Sequence, residues 1–318
     1  MKFLFLPVLF CISLEGISQK EIRFSASDSP RIFGAGIISD GFANRDMALS
    51  PDGNDMLYTL QWYFGLYSVI LHTHKINGQW TKPDTAWFSG RFNDLEPFYS
   101  PDGNKIYFTS NRPVHAGDSL KNDYDIWYLQ KTDNSWKGPY NLGPPVNTDK
   151  DEFYPSLTKS GNLYFTRNNE ETGDDIFISE WKDGKWVLPR TLPDAVNSKG
   201  DDFNAFIDPD ENYIIFSSYK RKDDLGKGDL YFSRRVKGIW QPAVHFENGI
   251  NSPALDYSPF VSADHKYFFF TSKRTLVKFP FKQSRSASEI REILDSCGNG
   301  FEDIYIMNFK EVEKWMQH

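Results

Sequence analysis

The sequence predicts an all-β chain folded as a five-bladed β-propeller of four-stranded antiparallel blades, and three observations predict it. One line of residues recurs five times along the 318-residue chain. Each recurrence opens a unit of about 50 residues with four strand-like runs, the period of a propeller blade. The last unit lacks its fourth run, and a matching run stands near the other end of the chain, at 30–39. The alternative, a six-bladed ring, needs a further degenerate unit that the sequence does not offer.

The recurring line is clearest from Asp94 to Arg112. There Asp-Leu-Glu-Pro-Phe-Tyr leads into the turn Ser100-Pro101-Asp102-Gly103-Asn104 and then into Lys-Ile-Tyr-Phe-Thr-Ser-Asn-Arg. It returns from Asn44, Glu152, Asp202 and Asp256. The turn joins the first and second runs, with Pro presetting φ and Gly tolerating positive φ. The glycine position falls at Gly53, Gly103, Gly161, Glu211 and His265. In the second unit the four runs are 96–100, 105–110, 125–131 and 136–142. Third runs begin at Asp125, Asp175, Asp229 and Asp303, and fourth runs follow Trp80, Trp136, Trp186 and Trp240. The segment 30–39 aligns with 139–148 and with 189–198. An N-terminal strand at 30–39 is therefore expected beside 303–308, completing the last blade and removing two open sheet edges.

Around this domain, 19–310, the remaining segments read as follows. Residues 1–18 resemble a signal peptide: Lys2, an apolar run over 3–14, then Gly16-Ile17-Ser18 with cleavage expected after Ser18. Phe10 before Cys11 argues against a lipoprotein signal. The apolar run is too short to span a bilayer, and no other stretch approaches the required length. Periplasmic or secreted export follows. An insertion at 275–300 starts basic and apolar, and Ser286-Ala287-Ser288-Glu289 reads as a capping box opening a short helix through Leu294. Ile290, Ile293 and Leu294 would form its apolar face. Residues 311–318 read as a C-terminal tail.

Composition excludes several functions. The formal net charge is -7 and the aromatic content is 16%. A mildly acidic chain lacks the clustered cations that nucleic acid binding demands. The mature chain keeps one cysteine, Cys297, so no internal disulfide is expected. No Gly-x-Ser-x-Gly elbow, His-Glu-x-x-His helix or P-loop occurs.

The Ser-Pro-Asp-Gly-Asn turn, the Tyr-Phe-Thr-Ser-Asn-Arg strand and the Asp-Ile-Trp strand resemble the WD40-like β-propeller repeats of the TolB type, over about 30–308. That resemblance implies a propeller used for protein interaction or periplasmic scaffolding. Similar blades serve as the non-catalytic propeller of some serine peptidases and, more distantly, as carbohydrate-active lyases. The chain departs from TolB in lacking a separate N-terminal domain, and it shows no appended peptidase or peptidoglycan-binding domain.

Candidate site residues come from the first runs and the loops. The fourth-to-first and second-to-third connections share one face, and the Pro-Asp-Gly turns lie on the other. The long-loop face is expected to carry function. Three places before the Pro column stand Asn44, Asp94, Glu152, Asp202 and Asp256; one place before it stand Asp46, Glu96, Tyr154, Asn204 and Ser258. Strict alternation would set both columns on one side of the strand, giving a carboxylate ring at the channel mouth. One reading gives that ring a cation, a sugar or a peptide amine to bind; the other lets each carboxylate cap its own loop or bond a neighbouring blade. Arg45, Asp46 and Glu96 break the repeat and, with Asp94, form the favoured cluster. Trp62 and Tyr63 replace the polar loop of other units, and either offer aromatic surface for a sugar or partner or belong to a shortened loop folded inward. Asp125 and Asp175 read as turn caps rather than calcium ligands. His72 and His74 face one side of a strand without a third zinc ligand at a recognised spacing. No metal or cofactor is expected. The chain reads as a monomeric, non-catalytic module for an envelope protein or glycan. The alternative is a glycoside hydrolase or lyase using channel carboxylates.

Overall fold

A computed structural model describes residues 21–317 of the chain other than 63, 64, 116, 118, 134 and 248. The expected signal peptide and Tyr63 lie outside the described residues.

Five antiparallel sheets form five blades. Their inner strands are Ala43–Leu49, Asp94–Tyr99, Glu152–Leu157, Asp201–Ile207 and Asp256–Val261. Each lies against the inner strands of both neighbouring blades, and the first meets the last, so the ring is closed. The second strands are Asp55–Trp62, Lys105–Ser110, Leu163–Asn169, Tyr213–Tyr219 and Tyr267–Ser272. The turns between first and second strands are held as the sequence implies. Ser100 Oγ accepts from Lys105 N at 2.9 Å and donates to Asp102 at 2.6 Å. The ruler position of the turn is left-handed throughout the repeat: Gly53 has φ 70°, Gly103 has φ 69°, and even Glu211 and His265 sit at 58° and 55°.

The closure is the expected one. Arg31–Ile32 pairs antiparallel with Asp303–Asn308, Arg31 opposite Ile306 and Ile32 opposite Tyr305. Phe33 N continues the ladder to Ile304 O at 2.7 Å, and Ser39 Oγ accepts from Ile304 N at 3.1 Å. Phe33 is buried against Phe24 and Phe269. The chain's beginning is thus woven into its last blade.

Two segments differ in weight from their sequence reading. Helix α1, Ala287–Leu294, carries the full capping box at Ser286 and Glu289, yet buries none of its residues. It lies against the ring through Asn299, which donates to Gly41 O at 2.9 Å. The expected tail is instead helix α2, Phe309–Met316. Phe309, Val312 and Met316 recur on one helical face, and all three are buried in the main core.

Phe33→Ala removes a fully buried ring at the closure and is expected to cost about 3–5 kcal/mol. Arg31→Ala, an exposed neighbour on the same strand, is expected to change stability by no more than about 0.5 kcal/mol. Urea unfolding of the two variants checks this; equal midpoints would contradict the clasp.

Candidate functional site

Every inner strand carries a bulge at the same place. Register slips between Arg45 and Ala48, Leu95 and Phe98, Phe153 and Ser156, Phe203 and Phe206, and Tyr257 and Phe260. At each slip one non-glycine residue is left-handed: Asp46 (φ 54°), Glu96 (56°), Tyr154 (50°), Asn204 (50°) and Ser258 (52°). An extra residue on one strand breaks the period-two rule. Strict alternation therefore does not hold, and the two columns expected to face together are separated by the bulge.

The left-handed residues form one buried polar hub. Arg45 Nε lies 2.7 Å from Asp46 Oδ2, and Arg45 Nη2 donates to Glu96 Oε1 at 3.0 Å. Its guanidinium stacks on Tyr257 at 4.9 Å. Glu96 Oε2 accepts from Tyr154 N at 2.8 Å and from Thr109 Oγ1 at 3.3 Å. Asn204 Nδ2 donates to Ser258 Oγ at 2.8 Å, and Ser258 Oγ donates to Asp46 Oδ1 at 2.6 Å. Tyr154 OH reaches Pro259 O at 3.0 Å. Residues of all five blades are joined.

The backbone takes part as well. A hydroxyl column on the second strands, Thr59, Thr109, Thr166, Ser217 and Thr271, stands opposite the residue before each bulge. Glu96 N donates to Thr59 of the preceding blade at 3.0 Å, Asn204 N to Thr166 at 2.9 Å, and Asp46 N to Thr271 at 3.2 Å. Between blades 2 and 3 the Glu96 carboxylate is inserted into the link. Between blades 4 and 5 the Ser217 hydroxyl has no partner, and the Asn204–Ser258 side-chain bond joins the blades there.

The outer carboxylate column makes a second, repeated clasp. Asp94 pairs with Arg112 at 2.6 Å, Glu152 with Arg167 at 2.8 Å, Asp202 with Arg221 at 2.7 Å and Asp256 with Arg274 at 2.6 Å. Each carboxylate also accepts from a hydroxyl, as from Ser110 at 2.6 Å and Thr148 at 2.6 Å. Each arginine reaches back to a carbonyl of the preceding connection: Phe88, Val146, Val196 or Ile250. Each also stacks on a ring, as Arg112 does on Phe108 and Arg274 on Tyr305, both at 4.8 Å. Asn44 departs from the column and donates to Asp40 at 2.8 Å. The structure thus unites Arg45, Asp46 and Glu96, while Asp94, Glu152, Asp202 and Asp256 each sit in a separate clasp. Trp62 is 60% exposed at the loop edge of blade 1.

Two residue sets escaped the sequence reading. The arginines have a legible signal, since each stands at or within two residues of the end of its unit's second strand. The other set is Asn147, Asn197 and Asn251. Their amides pair both backbone groups of a third-strand residue, as Asn147 does with Ile126 at 3.0 and 2.9 Å. Val-Asn-Thr, Val-Asn-Ser and Ile-Asn-Ser before the inner strands carry that signal. His72 binds Asp55 at 3.0 Å and stacks on His74, and no group of metal-ligating side chains is assembled among the described residues.

Burial governs the electrostatics. It pushes Glu96 up to about 7, helped by the neighbouring Asp46 charge and opposed by Arg45. Burial also raises Asp94 and Asp256, and takes Asp303 up to about 6. Asp46 and Glu96 are 2% and 3% exposed, so solvent hardly reaches either.

No protein-family model matches the chain, and no curated protein matches it in sequence. Among solved structures, native Bacillus subtilis arabinanase Arb43A is similar with a TM-score of 0.51 at 10% identity, over 84% of this chain and 94% of that one. A putative TolB from Agrobacterium tumefaciens gives 0.49 at 14% identity, over 84% and 90%. TolB from Acinetobacter baumannii gives 0.46 at 12% identity over 83% of this chain, which spans 54% of that relative's length. At 10% identity the likeness to the arabinanase is one of fold alone; this chain's own sheets form a five-bladed β-propeller of four-stranded blades.

An acid whose pKa rises on folding favours the folded state below its unfolded value, here 4.5, and that contribution is lost as pH climbs through about 7. The melting temperature is expected to fall from about pH 5 to about pH 8, and Glu96→Gln to flatten that fall. Thermal unfolding across pH measures both; a melting temperature rising over this range would contradict the assignment.

Proposed function

We propose that the chain is an exported, non-catalytic module that docks a protein or glycan through its long-loop face and channel mouth. The observation that carries this reading is the apolar surface on the loop face. Phe279 of the insertion is 82% exposed, and Trp62, Leu66, Phe42 and Phe301 are also exposed around the same rim. Phe42 and Phe301 flank the bond from Asn44 N to Glu302 O, so the insertion and the first blade share one edge. Exposed apolar side chains gathered on one face mark interaction surfaces. Export is supported by the signal-like 1–18.

The hydrolase or lyase reading would draw on Asp46 and Glu96. Arg45 occupies the space between them, and their remaining oxygens are committed to Ser258, Thr109 and Tyr154. This supports a structural hub over a pair of catalytic acids.

A Trp62→Ala, Phe279→Ala double variant is expected to keep its melting temperature and to lose a partner that the wild-type protein captures from envelope extract. The same protein is screened against polysaccharides and glycosides. Turnover abolished by Glu96→Gln, or capture unaffected by the double change, would contradict the proposal.

A further inference from the structure

Because the blades repeat, each position has internal controls. At the hairpin between third and outer strands the repeat sets a cation opposite a tryptophan. Lys75 pairs with Trp80, Lys131 with Trp136 and Arg235 with Trp240. In each case the charge lies over the indole, at 4.9, 5.8 and 5.5 Å. Blade 3 alone among these replaces the cation with a second indole: Trp181 stands opposite Trp186. The exchange puts a large apolar ring at the one hairpin position where those other blades carry a cation, the reverse of what solubility favours there.

The new ring is held in place. Trp181 and Trp186 meet edge to face, with centroids 4.6 Å apart and planes at 70°. Trp186 Nε1 donates to Gly161 O at 3.1 Å. Trp181 packs so closely on Gly161 that a Cβ there would come within 3.1 Å of it. Trp181 remains 38% exposed, with Lys105 Nζ of blade 2 standing 6.0 Å from its ring centroid at the edge of the open side. Its hairpin, Trp181–Lys182 with Lys185–Trp186, forms a separate two-stranded ribbon that overhangs the seam between blades 2 and 3. Beneath it is a cleft of about 460 Å³ lined by Tyr107, Trp181 and Trp186, with Asp102, Lys105 and Ser160 among its polar groups.

We propose that this cleft binds a neutral glycan built of pyranose rings, with one sugar seated against Trp181. The chemistry fits in three ways. Indole faces meet the C–H face of a pyranose, and the perpendicular indole walls a single ring rather than an extended ridge. A carboxylate, an ammonium and a hydroxyl at the rim suit sugar hydroxyls as acceptor and donors. Asp102 set against Lys105 leaves the lining without one dominant sign to recruit a polyanion or polycation, and the volume lies in the range of small-ligand pockets, roughly 300–1,000 Å³. The site is on the opposite face from the proposed partner surface, so each proposal can fail alone.

The test is titration of the full chain, by tryptophan fluorescence and calorimetry, with cellohexaose, xylohexaose and chitohexaose, and with a proline-rich peptide as competitor class. At least one oligosaccharide should bind with Kd of about 1 mM or tighter, and Trp181→Lys should weaken it about tenfold or more. Trp181→Lys restores the residue type of the other blades, so its melting temperature should hold. Should it not, Trp181→Leu, apolar but without a ring face, is read in its place and should weaken binding alike. Phe279→Ala should leave sugar binding unchanged. Binding of none of the three sugars, binding indifferent to both Trp181 variants, or binding of the peptide alone would overturn the proposal.

Discussion

Glu96 touches three blades at once. Its carboxylate receives Arg45 from blade 1, Thr109 from its own blade and the backbone of Tyr154 from blade 3, while its own N–H goes to Thr59. That arrangement exists only because the inner strand bulges and turns residue 96 left-handed. A non-glycine residue in that region costs on the order of 1–3 kcal/mol and persists only where surrounding contacts over-determine it. Here the compensation is visible: three bulge amides are donated to hydroxyls across blade seams, and a fourth to Glu96 itself. Since the strain recurs in every blade, it belongs to the architecture rather than to a catalytic device. The ring is closed by polar contacts at its axis as well as by apolar packing between sheets.

The carboxylate–arginine clasps extend the same logic to the loop mouth. Each ties an inner strand to the end of its second strand and to the connection arriving from the preceding blade. A buried ion pair of this kind adds little net stability over an apolar substitute, but losing one partner leaves an uncompensated charge. The clasps therefore fix where the loops leave the scaffold. What the loops present outward, including Trp62 and the insertion around Phe279, is free to vary without disturbing them.

Much of this was legible in the sequence, for physical reasons that also explain the limits. The Pro-Asp-Gly turn is local chemistry, so the blade count and the strand order followed from it. The closure at 31–32 was readable because its segment copies the fourth strand of other units. The orientation of Glu96 was not, because Pro-x alternation gives no sign of a bulge, and one extra residue reverses every side chain after it. Of the expected cluster of Arg45, Asp46, Glu96 and Asp94, the three that depart from the repeat lie together, whereas Asp94 sits in its own clasp with Arg112. Helix α2 was overlooked as a tail although Phe309, Val312 and Met316 already show helical spacing. The arginine clasps carry a repeated signal, each arginine 15 to 19 residues after its carboxylate, but an arginine after a strand reads equally as a solvated loop cation, so the pairing with the carboxylate column shows only in the structure. Departure from a column proved the better guide to individuality, and the same reasoning singles out Trp181.

The account rests on the bulge amides of Asp46, Glu96, Tyr154 and Asn204 being locked across blade seams. Residue-resolved native-state hydrogen exchange tests this most directly. These amides are predicted to exchange only through global unfolding, with the same free energy and denaturant dependence as the central strands. Exchange of the four through local opening, while the second-strand amides stay protected, would contradict the account.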